Sequence, residues 1–364
     1  MLKAKLRKLL ASDGAYRFLL ALTTFTPPTR ISGSRDWLQR LSPKPVAPTG
    51  SHTYQHTNPD LEISFIVPVY NMGAYIGACL DSILCQQTEA SFEVIVINDG
   101  STDHSLELIR ARMAADPRIV LIDQGNKGYS GARNIAIDQI RGKKLCFVDA
   151  DDMIAPDHLN NLLNHFNANT CDFVTGRFTY VDQAGVAIRA SANPRNHGAP
   201  WGRLYDRKVW ADLRFPEGYW FEDTIQGFCI ESRYVEFKAS DELGYFYRIH
   251  PDSQCGKSPH TYKSIDSYWI LEDLLPLCRE LGIPLSQNLY DRTIMQLGPL
   301  LRGRTNALKK QERKALFSSC CDLIANTPEF DSLCTSLPGR WRDLEWALRK
   351  RNYHRWILAC RHLG

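Results

Sequence analysis

Three carboxylates stand within four positions of the stretch Phe147-Val148-Asp149-Ala150-Asp151-Asp152, directly after an apolar run from Leu145 to Val148. A short apolar run bounded by polar residues reads as a buried strand. Acids gathered where such a strand emerges repel one another and lose hydration unless something positive joins them. Hard oxygen donors suit Mg2+ or Mn2+. The hexapeptide therefore points to a cation at the carboxyl edge of a sheet, where α/β folds bind their ligands.

Three further stretches have the composition of a ligand site. Val67-Pro68-Val69-Tyr70-Asn71 closes another apolar run. Pro belongs at a strand end, and a rigid turn beside an aromatic can cradle a planar base, although a plain strand-to-helix turn has the same composition. In Ile97-Asn98-Asp99-Gly100-Ser101-Thr102-Asp103, Asp99 can accept from a base N–H or a ribose hydroxyl. It can equally shape an Asx turn, with Ser101 or Asp103 capping the next helix. Gln124 to Asn134 holds three glycines, Lys127 and Arg133 at the start of a helical pattern. Helix N-termini favour anions, but this is neither a Walker loop nor a dinucleotide fingerprint.

The elements that must position these residues can be read from periodicity. Strands are expected at Ile63 to Val69, Phe92 to Ile97, Ile119 to Ile122 and Lys144 to Val148. Helices are expected between them at Ala74 to Gln86, Leu106 to Met113 and Gly131 to Ile140. This alternation predicts an α/β fold, Rossmann-like, with a mostly parallel sheet flanked by helices. Six prolines between 27 and 59 mark a linker, and the chain past about Ser264 is mainly helical. The expected organisation is a basic N-terminal helix and Pro-rich linker (1–60), a catalytic α/β domain (61–255) and a helical C-terminal region (256–364).

Taken together and in order, the four motifs (with Ala132-Arg133-Asn134 from the glycine-rich stretch) resemble those of glycosyltransferase family 2. The resemblance covers about residues 61–255, with Glu222-Asp223 and Tyr247-Arg248-Ile249-His250 as later landmarks. One departure is Ala136, where the family often has Gly; both are small. The resemblance implies the GT-A fold and an inverting, metal-dependent transfer of sugar from a nucleotide donor, usually a uridine diphosphate. It implies a base pocket lined by Pro68 and Tyr70, a base edge held by Asp99, and a diphosphate near Lys127 and Arg133. Asp149 would meet the ribose or the metal, with Ala150 beside it at the donor, and Asp151 would hold Mn2+ or Mg2+; His250 would reach the metal or the diphosphate, or serve structure alone. Asp152 would orient the others. A cation on the diphosphate stabilises the leaving group's charge. Asp223, with Glu222 beside it, would be the base that takes the acceptor's proton; the pair also suits a helix N-terminus. Trp201 and Trp220 would stack on a sugar or belong to the core.

Charge is uneven. Residues 1–50 and 300–364 each carry a net +7, which leaves −10 between them against an overall +4. No aromatic-plus-basic recognition motif accompanies the basic ends, so nucleic acid is not the expected partner; an anionic membrane surface is. Leu2, Leu6, Leu9 and Leu10 share a helical face ringed by Lys3, Lys5, Arg7 and Lys8, and Asp343 to Leu363 reads as a basic helix carrying Trp346 and Trp356. Each suits either a membrane surface or the protein's own body. No stretch is long enough to span a bilayer. Eleven cysteines without metal-ligand spacing read as reduced thiols of a cytoplasmic protein, at the inner face of the membrane. The expected acceptor is a glycan or lipid-linked glycan of a surface polysaccharide, capsule or lipopolysaccharide. Two other readings compete: a haloacid-dehalogenase-like phosphatase, disfavoured because three βα units precede the acid motif and Met153 follows it, and a catalytically silent, membrane-associated assembly protein on the same fold.

Overall fold

The computed structural model describes residues 12–46, 60–168, 170–192, 198–251 and 260–363. The chain forms two compact units, Pro45–Ser253 and a second that joins Met1–Lys44 to Gln254–Gly364.

In the first unit, Ile63–Val69 (β1), Phe92–Asp99 (β2), Ile119–Gln124 (β3) and Lys144–Phe147 (β4) run parallel in the order β3-β2-β1-β4. Every residue of β1 and β2 is buried, the pattern of strands covered on both faces. The crossovers are the helices Ile76–Leu84, Ser105–Ala115 and Gly128–Gln139. Beyond β4 the sheet becomes mixed. Arg203–Asp206 (β8) pairs antiparallel with β4 and with Phe173–Val181 (β6). Phe237–Arg248 (β9) runs parallel to β6. The two-residue Met153–Ile154 (β5) closes the edge antiparallel to β9, and Ala187–Ala190 (β7) pairs with β6. The α/β class is as expected; four successive parallel strands form one half of the sheet, and the other half is mixed. The β5–β9 pairing matters most here. It pins the acid loop after β4 to the far end of β9, more than ninety residues along the chain.

The second unit is helical. The Pro-rich stretch read as a linker contains a helix, Ser34–Leu41, with Leu38 fully buried. Trp269 Nε1 donates to the Ser42 carbonyl at 2.9 Å. Pro27, Pro28, Pro43 and Pro45 flank this helix rather than interrupt it, so they punctuate instead of unfolding the segment. The expected helix over Asp343 to Leu363 is two helices, Trp341–Arg349 and Tyr353–Leu363. Between them Arg351 takes φ 56°, and the Asn352 side chain caps the second helix by accepting from Arg355 N–H. Trp356 is fully buried and donates to the Leu297 carbonyl, so it does not pair with Trp346 on an outer face. Leu2, Leu6, Leu9 and Leu10 lie outside the described residues. Among those described, no helix is long and apolar enough to cross a membrane, and the ten cysteines are all free thiols.

Candidate active site

The carboxyl ends of β1, β2 and β4 deliver three of the motifs to one sheet edge. The first two turns are stitched together. Asn71, at φ 54°, accepts from Thr102 N–H at 2.8 Å and donates its own N–H to Ser101 Oγ at 3.0 Å. Gly73 N–H donates to Asp103 Oδ2 at 2.9 Å. Ser101 and Asp103 thus hold the neighbouring turn, and Asp103 also accepts from Ser105 N–H at the start of the next helix, the expected capping use. Pro68 is buried within β1, and Tyr70 is 43% exposed at its end. Asp99 is buried and accepts from Gln124 Nε2, Lys127 N–H and Gly128 N–H, each at 2.8 Å. It fixes the glycine turn, in which Gly128 takes φ 75°. A carboxylate has about four acceptor positions, which leaves room for one further donor. The Lys127 side chain is exposed.

The acid loop is held from β9. Asp152 is buried and accepts from Tyr245 OH at 2.7 Å and Arg248 N–H at 2.8 Å. Asp149 N–H donates to the same Tyr245 hydroxyl at 3.2 Å, and Arg248 Nε donates to the Asp151 carbonyl at 2.6 Å. Asp152 thus shares Tyr245 and Arg248 with its neighbours Asp149 and Asp151. Ala150 is buried between them. Asp151 Oδ2 meets His250 Nε2 at 2.8 Å, and the imidazole packs on Tyr75.

Arg133 joins the acid loop to the Glu222-Asp223 pair. Only 3% exposed, it donates to Asp149 at 2.8 Å and to Glu222 at 2.6 Å. Its neighbour Asn134 clamps the loop ahead of that pair: its side chain accepts from Phe215 N–H and donates to the Phe215 carbonyl and to Glu217. Immediately before Glu222, Phe221 sits at φ 64°, an uncommon conformation for a bulky residue that costs of order 1–3 kcal/mol. Asp223 is partly exposed at the start of the following helical segment. Trp201 stacks on Tyr245 and Tyr247, with ring centroids 4.4 and 5.2 Å away, and so belongs to the aromatic core. Trp220 is half-buried.

Crowding of acids sets the electrostatics. Burial raises the Asp149 and Glu222 carboxyls; Arg133 opposes this, and the charge of Asp223 adds to it. Burial and the charges of Asp151 and Asp149 push Asp152 well up. Burial works against the Arg133 charge, but Asp149 and Glu222 outweigh it and hold its pKa above the ordinary value.

Asn134, Tyr245 and Arg248 are the positions that sequence reasoning left without a role. Asn134 lies within the quoted motif and Arg248 within the landmark before His250, but their partners are remote in sequence. Among the described residues no group of three His, Cys, Asp or Glu side chains is arranged to hold a metal ion. The Asp151–His250 pair is the donor set available, one hard oxygen and one imidazole. It suits Mn2+ or Mg2+ when a diphosphate and water complete the coordination, as Mg2+ sites commonly require.

The model of "Glycosyl transferase family 2" matches residues 64–230. The glycosyltransferase GlyG of Streptococcus pneumoniae is 35% identical over 214 residues, 51% of this chain and 70% of GlyG. GlyA of the same organism is 29% identical over 279 residues, 68% of this chain and 39% of GlyA. The chain spans less than two thirds of the length of several relatives, 39% of GlyA and 62% of two from Bacillus subtilis. In structure it is similar to S. aureus TarS residues 1–349 in complex with UDP-GlcNAc. The TM-score is 0.61 at 21% identity, over 82% of this chain and 90% of that one.

Proposed function

Since the chain belongs to glycosyl transferase family 2, we propose that it moves a sugar from a uridine diphosphate donor to an acceptor hydroxyl with inversion, aided by a divalent cation. Family membership sets aside the phosphatase reading. The observation that carries the proposal is the Arg133 bridge, which ties the acid loop through Asp149 to the Glu222-Asp223 pair. Inversion needs a base across the reacting carbon from the leaving group, so the two acid groups must be held in fixed relation.

In this reading Tyr70, Pro68 and the remaining acceptor position of Asp99 receive the base. Asp149 and Ala150 meet the ribose, and Lys127 faces the diphosphate. Arg133 acts through Asp149 and Glu222 rather than on the donor, because its guanidinium is already engaged by both. Asp151 and His250 would hold Mn2+ or Mg2+, which when bound neutralises charge developing on the diphosphate. Asp223 takes the acceptor's proton, and Glu222 shares its site. TarS, solved with UDP-GlcNAc, supports the choice of UDP through likeness of fold. The acceptor is a glycan or lipid-linked glycan of a surface polysaccharide, and the protein works in the cytoplasm against the inner membrane face.

Melting curves with a set of nucleotide sugars, each with Mn2+ and with EDTA, test the proposal, since binding to the folded state raises apparent stability with affinity. One UDP-sugar should raise the melting temperature with Mn2+ and much less with EDTA. No response to any nucleotide would end it, and an equal response in EDTA would end the role of the cation.

A further inference from the structure

The helices Asp13–Thr23 and Tyr353–Leu363 of the helical unit share a cavity of about 630 Å³. Leu19, Leu22, Ile357 and Leu358 give it an apolar side; Arg302, Lys310, Arg313 and Arg361 give it a cationic one. Among the described residues no carboxylate lines it, and none of these four cations forms an ion pair. The neighbouring arginines differ: Arg349 pairs with Glu345, Arg351 with Asp322 and Arg355 with Asp343. Among the described residues, Arg302 finds only the Asn306 side-chain oxygen, and Arg313 only the carbonyls of Asn306 and Leu308. The Nε of each is buried without an acceptor. Guanidinium groups do not shed their protons in proteins, so the cluster repels itself until an anion enters.

The same face is unusually apolar. Phe18 and Leu22, one turn apart on the helix Asp13–Thr23, are 67% and 53% exposed, and Phe25 just beyond it is 88% exposed. Apolar side chains beside a basic cluster are the chemistry of a helix that lies in a lipid interface. The preceding residues 1–10 carry Lys3, Lys5, Arg7 and Lys8 and no acid, so they add like charge instead of complementing the cavity.

We propose that this cavity binds the phosphate of an anionic phospholipid and seats the helical unit on a membrane surface. The inference does not rest on sugar transfer: a protein that bound such vesicles but no nucleotide would keep this and lose the other.

The full chain should co-sediment with vesicles of equal parts phosphatidylglycerol and phosphatidylcholine and not with phosphatidylcholine alone. Basic residues at such a surface contribute about 1 kcal/mol each, so Arg302→Gln with Arg313→Gln should weaken binding roughly thirtyfold. Lys208→Gln with Lys350→Gln, an equal loss of charge outside the cavity, should weaken it far less. Equal loss in both pairs, equal binding to neutral vesicles, or no binding at all would overturn the proposal. So would a rise in melting temperature with inorganic phosphate that anionic vesicles do not give, which assigns a free phosphate. A dimer in vesicle-free solution that Arg302→Gln with Arg313→Gln dissolves would assign the cavity to a second copy instead.

Discussion

The acid edge of the α/β unit and the basic cavity of the helical unit treat crowded like charges in opposite ways. At the edge, Asp149 and Glu222 share the buried Arg133, and Asp152 is held by Tyr245 and the backbone of Arg248. In the cavity, Arg302 and Arg313 have no acid partner among the described residues. The first arrangement holds its buried acids through partners inside the protein, as a site that must hold fixed geometry requires. The second is left for something outside the protein to compensate.

The largest test is at the acid proposed as the base, which is partly exposed. Asp223→Asn removes the proposed base while its neighbours keep their partners, so turnover should fall about 10²- to 10⁴-fold with donor binding nearly unchanged. Because the Asp223 charge raises both Asp149 and Glu222, the melting temperature should hold or rise. Turnover within a few-fold of the wild type would remove Asp223 from the mechanism. The two kinds of arginine come next. Arg133→Met leaves Asp149 and Glu222 facing each other without a cation, and breaking such a buried pair costs about 3–5 kcal/mol. Arg302→Met removes a charge that no acid misses and should cost under about 1 kcal/mol. Urea titrations that gave both the same loss would erase the contrast between the regions.

Much of the edge was legible because strand ends and acids lie close together in sequence. The βαβ spacing located β1 to β4, and the motifs marked Asp99, Asp149 and Asp151. What sequence could not give is the pairing across distance. Nothing local says that β5 pairs with β9, so the grip of Tyr245 on Asp152 was invisible, and so was Asn134's hold on Phe215. Arg133 looked like a phosphate ligand because its charge is visible in sequence and its two partners are not. The helical unit was harder still. Pro-rich composition hid a helix whose single fully buried residue, Leu38, docks on its own unit, and the last helical pattern ran across a break that only the φ of Arg351 and the cap by Asn352 reveal.

The smallest test asks whether the folded α/β unit keeps a buried imidazole charged without a partner. His158 is buried beside Gly244 and Tyr245, and its Nε2 has no partner. Burial lowers its pKa to about 4, against a weaker opposing pull from Asp157. Between about pH 6.5 and 4 the unfolded chain then holds a proton on this residue that the folded chain refuses. Stability must fall as pH falls through that window, by ~3 kcal/mol at most. The raised carboxyls Asp149, Asp152 and Glu222 act in the opposite sense, because there the folded chain holds the extra protons. The signal is therefore the difference between wild type and His158→Gln, followed by urea titration at several pH values. Wild type should lose more stability than the variant on acidification. Parallel pH profiles would mean that the folded unit carries His158 charged and unpartnered, and uncompensated positive charge would no longer be confined to the cavity of the helical unit.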